Sequence, residues 1–218
     1  MLLNTTSIPA QLDLESVCCA FGRTTVVNQV DLHMAPGEHV ALIGSNGSGK
    51  TTLLRAILGL HPPTSGRIML DEKTAASPAA WHRLRKRIAW MPQRQATGHF
   101  PLLVRELLAS SSAPDIAHAV AEQLGVSSLA WRPLHALSGG QLQRVFLARA
   151  LGNLAGGAGL LLADEPTAAL DFAGQAAIGD VLRQLNASVL VVTHDRSMAA
   201  RCDRVIEMAG GQLREVRS

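Results

Sequence analysis

The 218-residue chain reads as an α/β protein: a mixed, mainly parallel buried sheet under helices, an N-terminal antiparallel β part and an inserted helical part. Two observations predict this. Short apolar runs at His39–Ile43, Leu160–Ala163 and Val189–Val192 end in a glycine-rich loop, two carboxylates and Thr-His-Asp respectively. Strands this apolar are buried on both faces, which suits a parallel sheet covered by helices. Between Phe100 and Leu137 the apolar residues switch to helical spacing: Val104, Leu107 and Leu108, then Ile116, Val120 and Leu124.

Taken in order, the first forty residues hold β-type runs from Leu12 to Phe21 and from Thr24 to Leu32, split by Gly22 and closed by Pro36-Gly37. The run 39–43 feeds the glycine-rich loop and then a helix over Thr51–Leu60. The helical insertion follows, and Leu137-Ser138-Gly139-Gly140-Gln141 opens a helical run from Leu142 to Leu151. The two remaining apolar strands complete the core.

Composition narrows the function classes. A hydrophobic fraction of 47% with 17% charged residues belongs to a globular chain with a sizeable core. The net charge is +3, and three Trp, four Phe and no Tyr are too few to interleave a basic patch, so no nucleic-acid partner is expected. The longest stretch without a charged residue, Ala150–Ala163, is fourteen residues broken by four glycines. A spanning helix needs about 20 apolar residues. The start, MLLNTTSIPAQLDLE, has no basic lead, so no signal peptide is expected. Three cysteines, with Cys18 and Cys19 adjacent, make neither a disulfide framework nor a metal spacing and predict reduced thiols in a cytosolic protein.

The segment Gly44-Ser45-Asn46-Gly47-Ser48-Gly49-Lys50-Thr51 fits G-x-x-x-x-G-K-[ST] between a strand and a helix. Glycines let such a loop curl until its N–H groups point at phosphate oxygens, and the helix N-terminus adds partial positive charge there. Lys50 can reach the β- and γ-phosphates, and the Thr51 hydroxyl can ligate Mg²⁺. Asp164, at the end of a buried strand, suits Mg²⁺ ligation, and Glu165 suits polarisation of a water attacking the γ-phosphate. His194 stands at another strand end, where ligands of open α/β sheets gather. Ser138 before two glycines at a helix start offers a second anion site, although a plain N-cap accounts for the same residues on physical grounds.

Together these residues resemble the ATP-binding subunits of ABC transporters over almost the whole chain. Phe21 resembles the adenine-stacking aromatic, and GSNGSGKT, followed by Thr52, resembles the Walker A loop. Gln93 in Met91-Pro92-Gln93 resembles the Q-loop glutamine, and LSGGQ at 137–141 the signature motif. LLLADE at 160–165 is similar to Walker B with its catalytic glutamate, Ala169-Leu170-Asp171 to the D-loop, and His194 to the switch histidine.

The resemblance implies a P-loop NTPase fold in a single ABC ATPase domain. A RecA-like core and β subdomain would span 1–92 and 152–218, with a helical subdomain over about 93–151. It implies an ATPase with ATP and Mg²⁺, the metal held by Thr51, Gln93 and Asp164. Glu165, His194 and Gln93 would serve catalysis. Phe21, Gly44 to Thr52, Ser138, Gly139, Gly140, Gln141 and Asp171 would bind nucleotide. It also implies a head-to-tail pairing with a second ATPase subunit, which a homodimer satisfies, and a membrane permease on a separate chain. The chain would then be peripheral on the cytoplasmic face of the inner or plasma membrane.

Two departures stand out: Ala168 takes a position where the family often has Ser, and only 43 residues separate Gln93 from Leu137, fewer than usual. The short length, Pro92-Gln93-Arg94 and Phe100-Pro101 leading into Val104-Arg105-Glu106 are similar to the ATPases of zinc, manganese and iron importers. The competing function is a non-transport ABC ATPase driving a shape change in a cell-division or cluster-assembly complex. A P-loop kinase or GTPase leaves LSGGQ and the Asp164-Glu165 pair unexplained.

Overall fold

The strands of the protein form two sheets. The computed structural model describes residues 7–93 and 101–216. Arg94 and Phe100, which contribute to the likeness to metal importers, lie outside the described residues. In chain order the strands are β1 (Leu12–Phe21), β2 (Thr24–Met34), β3 (His39–Ile43), β4 (Ser65–Leu70), β5 (Lys73–Thr74), β6 (Ile88–Met91), β7 (Leu160–Asp164), β8 (Ser188–Val192), β9 (Arg204–Ala209) and β10 (Gln212–Glu215). The helices are α1 (Lys50–Ile57), α2 (Pro78–Arg85), α3 (Val104–Ala109), α4 (Pro114–Gln123), α5 (Gly139–Ala155), α6 (Phe172–Arg183) and α7 (Arg196–Ala199).

The expected antiparallel part is a sheet of order β2-β1-β4-β5. The expected core sheet has the order β10-β9-β3-β8-β7-β6, and every pairing in it is parallel except that of β10 with β9. β7 and β8 are buried at every residue. Because side chains alternate across a strand, Leu161, Ala163, Val189 and Val191 pack on the layer that contains α3 to α6. Leu160, Leu162, Leu190 and Val192 pack on the opposite layer with α1, α2 and the antiparallel sheet.

Two elements differ from the sequence pattern. The first core helix ends at Ile57 rather than Leu60, because the chain turns back there and the N–H groups of Leu60 and His61 both donate to the Arg55 carbonyl. In α4 the inward face is Ala117, Val120 and Ala121, and Ile116 is 39% exposed. Small residues win that face because α4 lies close to α5: a Cβ on Gly152 would come within 2.7 Å of the Ala117 Cβ.

That contact generates a test of the helical packing. Gly152→Val gains helix propensity but forces α4 away from α5, at a cost of about 1–3 kcal/mol for overpacking. Chemical denaturation should show the midpoint falling; an unchanged midpoint means that α4 yields freely.

Candidate nucleotide site

The loop from Gly44 to Gly49 links β3 to α1, and its shape depends on backbone freedom at both ends. Gly44 has φ 145°, and a Cβ there would sit 2.3 Å from the Met208 carbonyl oxygen. Gly49 has φ 111° directly before the helix, and its Cβ would meet the Val26 carbonyl oxygen at 2.7 Å. No side-chain-bearing residue fits either place. The buried Lys50 folds back along the loop and donates from Nζ to the carbonyls of Gly44 at 2.7 Å and Ser45 at 2.8 Å. Ser48 is also buried, and its Oγ has no hydrogen-bond partner among the described residues.

A cavity of about 200 Å³ opens beside the loop, and Asn46, Lys50, Thr51, Gln93, Asp164 and Glu165 are among the residues that line it. Gly47, Gly49 and Thr52 also face it. The structure therefore brings residues from three separate stretches of the chain, 46–52, 93 and 164–165, to one place. Thr51 Oγ1 donates to Asp164 Oδ2 at 3.2 Å. Asp164 is only 3% exposed, and burial raises its carboxyl above the ordinary range. The Thr51 hydroxyl, Lys50 and Arg55 oppose that rise, while Glu165 adds to it. A hydroxyl, a desolvated carboxylate and an amide facing one cavity form an all-oxygen donor set, which fits Mg²⁺.

Glu165 follows Asp164 with φ 50°, an uncommon conformation for a residue with a side chain that costs of order 1–3 kcal/mol. Its backbone is held on both sides. The Glu165 N–H donates to the Val192 carbonyl at 2.8 Å, and Gln143 Nε2 donates to the Glu165 carbonyl at 3.4 Å. Its carboxylate meets His194: Oε2 lies 2.9 Å from Nδ1 and accepts the His194 N–H at 3.4 Å. His194 is thus joined to the site through Glu165. Gln143 is a site residue that sequence reasoning missed; its signal was a polar side chain on a helix face otherwise filled by Val145, Phe146 and Leu147, and it is 4% exposed.

The other expected site residues stand apart from this cavity. Ser138 caps α5, accepting the Gln141 N–H at 3.3 Å, while Gln141 Oε1 accepts the Ser138 N–H at 3.0 Å, a reciprocal capping box. Gly139 and Gly140 press against Ala169 and Leu170; a Cβ on Gly139 would lie 2.6 Å from that of Ala169. Asp171 caps α6, its Oδ1 accepting the Gly174 N–H at 2.9 Å. Phe21, at the end of β1, is 51% exposed, with His61 stacked on its ring at 4.3 Å between centroids.

A glycine-curled loop running into a helix at the carboxyl edge of a parallel sheet defines a P-loop nucleotide-binding domain. The family model described as "ABC transporter" matches residues 27–168. The zinc import ATP-binding protein ZnuC of Cereibacter sphaeroides is 42% identical over 193 residues, which cover 85% of this chain and 73% of that protein. The hemin import ATP-binding protein HmuV of Rhodopseudomonas palustris is 35% identical over 219 residues, covering 93% of this chain and 80% of that one. Among solved structures, the dimeric bacterial ABC transporter cassette MJ0796 superposes with a TM-score of 0.81 at 28% identity, covering 95% of this chain and 99% of the cassette. A post-hydrolysis dimer of that cassette bound to ADP and Pi matches with a TM-score of 0.80. The chain belongs to the ABC transporter family. It is the ATP-binding, ATP-hydrolysing kind of subunit in that family.

The burial of Asp164 has a measurable consequence. A carboxyl raised in the folded chain costs stability above its folded value, and the cost fades as pH falls toward the unfolded value of about 4. Asp164→Asn should therefore raise the Tm of the nucleotide-free, metal-free protein at pH 7, with the gain vanishing near pH 4. A lowered Tm at pH 7 would show that the carboxylate is well compensated.

Proposed function

We propose that the chain energises import of a metal ion or metal chelate by an ABC transporter, pairing with a second copy of itself and with a permease on a separate chain. The observation that carries this reading is the 42% identity to a zinc import subunit, joined by 35% identity to a hemin import subunit. A separate permease agrees with the lack, among the described residues, of any helix long and apolar enough to cross a membrane. A homodimer agrees with the dimeric cassette that the chain superposes on, and with one loop and one LSGGQ per chain. The RecA-like core and β subdomain comprise 1–92 and 152–218, and the helical subdomain about 93–151. In its working place the subunit lies peripherally on the cytoplasmic face of the membrane.

In this reading Lys50 leaves the Gly44 and Ser45 carbonyls to hold β- and γ-phosphate oxygens, and the loop N–H groups take the remainder. Thr51, Asp164 and Gln93 would hold Mg²⁺, which neutralises charge on the phosphates. Phe21 stacks on the adenine. Glu165 takes a proton from the water that attacks the γ-phosphorus, and the bond to the β-phosphate oxygen breaks to leave ADP and phosphate. His194 orients the Glu165 carboxylate, and Gln143 fixes its backbone. The N–H groups at the start of α5, with Ser138 Oγ, face the γ-phosphate held by the second copy, and Asp171 lies beside them. ATP favours the closed pair through its differential affinity for that state, and hydrolysis reopens it.

Metal uptake by cells lacking the chain, together with capture of the tagged chain from detergent-solubilised membranes, tests the assignment. Loss of zinc or iron-chelate uptake and recovery of a polytopic partner are expected; intact uptake of both, or soluble partners alone, overturns the importer reading. Glu165→Gln should keep ATP binding, slow hydrolysis by about 10²-fold or more, and trap an ATP-bound dimer. Ser138→Arg should abolish that trapped dimer, read by gel filtration, while each monomer still binds ATP. A dimer that survives it would remove the head-to-tail arrangement.

A further inference from the structure

The segment that follows α1 is fixed before it reaches β4. Gly59 turns the chain at φ 64°, and the N–H groups of Leu60 and His61 donate to the Arg55 carbonyl at 2.8 and 3.2 Å. Pro62 and Pro63 come next. A proline presets its own φ, and the residue before it is steered to extended backbone, so His61 has little backbone freedom. At the far end Thr64 donates to the Cys18 carbonyl from its N–H at 2.8 Å and from Oγ1 at 3.1 Å. Cys18 lies on β1, as does Phe21. The segment is therefore tied to α1 on one side and to the strand of Phe21 on the other.

This arrangement sets two rings face to face. The planes of His61 and Phe21 are 22° apart, with centroids at 4.3 Å. His61 Nε2 is buried and has no hydrogen-bond partner among the described residues. An unpaired buried nitrogen costs stability that an aliphatic side chain would not incur, so the flat ring is not there for its polarity. Phe21 is 51% exposed although His61 covers one of its faces, which leaves the opposite face to a ligand. Phe21 also stands within a nucleotide's reach of the phosphate loop. It pairs with Thr24 across the β1–β2 turn, and Val26, two residues on, lines the nucleotide cavity. Two strand residues span roughly 7 Å, a length that a ribose bridges.

We propose that His61 is a positioning residue for the nucleobase: stacked behind Phe21, it holds that ring in the orientation that receives adenine on its other face. The inference rests on the adenine-stacking reading of Phe21 above and adds the residue that fixes the ring. An exposed aromatic side chain at a hairpin end can change rotamer, and a base that binds it must immobilise it. With His61 behind it the ring is ordered beforehand, so the gain falls on nucleotide affinity and not on the chemical step. Helix α1 gives the arrangement its reach. Its first residue, Lys50, belongs to the phosphate loop, and the chain leaving its last turn carries His61 to the base side.

Calorimetric titration of the full chain with Mg²⁺ and either ATP or inorganic tripolyphosphate, which has the phosphates without the base, tests it. His61→Leu keeps bulk and removes the flat face. It should weaken ATP binding about threefold to tenfold and raise KM for hydrolysis alike, with kcat within about twofold of the unaltered chain. Tripolyphosphate affinity should not move, which also shows that the phosphate loop is intact. His61→Phe should restore ATP affinity, because a second flat ring serves equally. Phe21→Ala should weaken ATP binding, and adding His61→Leu to it should weaken binding no further, because His61 acts through Phe21.

Unchanged ATP affinity in His61→Leu beside weak binding in Phe21→Ala overturns the role of His61 and leaves Phe21 at the base. Unchanged affinity in Phe21→Ala overturns both readings. An equal loss for ATP and tripolyphosphate in His61→Leu assigns the effect to a shifted α1 and overturns the stacking role. Failure of His61→Phe to restore affinity overturns it too, by assigning the effect to the imidazole nitrogens.

Discussion

Parallel pairing of β8 with β3 on one side and β7 on the other is the constraint on which the site depends. Parallel strands run their carboxyl ends to one edge, so whatever follows each strand is delivered to the same place. The register pairs Leu42 with Val192 and Val192 with Asp164, which brings the start of the phosphate loop, the two carboxylates and the Thr-His turn together. Residues more than a hundred positions apart, such as Thr51 and Asp164, thereby come within hydrogen-bond distance. The packed layers on both sheet faces make that alignment costly to disturb.

Within that frame, the most constrained point is Glu165. Its left-handed backbone is over-determined by Val192 on the neighbouring strand and by Gln143 on α5. Strain retained at one carboxylate and held from two elements is the signature of a group whose direction matters. Gln143 also ties the backbone at the end of β7 to the helix that begins at LSGGQ. One helix therefore carries both the capped LSGGQ start and a contact to the Glu165 backbone.

The glycines of LSGGQ act in the same assembly. Gly139 against Ala169 and Gly140 against Leu170 leave no room for a Cβ at the first and little at the second, so the start of α5 and the turn after β7 form one packed surface. Larger residues at those positions would separate the helix N-terminus from the loop that Asp171 closes. Further along α5, Gly152 serves the opposite purpose and seats the helical insertion against the core.

Local chemistry made much of this legible in the sequence. Glycine spacing, runs of doubly buried apolar residues and carboxylates at a strand end are short-range patterns with few alternative structures, so the loop, β3, β7 and β8 and the Asp164-Glu165 pair could be read directly. Helix ends and faces were less legible, as Leu60 and Ile116 illustrate, because a turn or a close-packed neighbour overrides periodicity. Gln143 showed only as a polar side chain on an apolar helix face, with nothing to name Glu165 as its partner, and the stacking of His61 on Phe21 had no signal in the sequence. They depend on which distant segments meet, and only the packing of sheets and helices decides that.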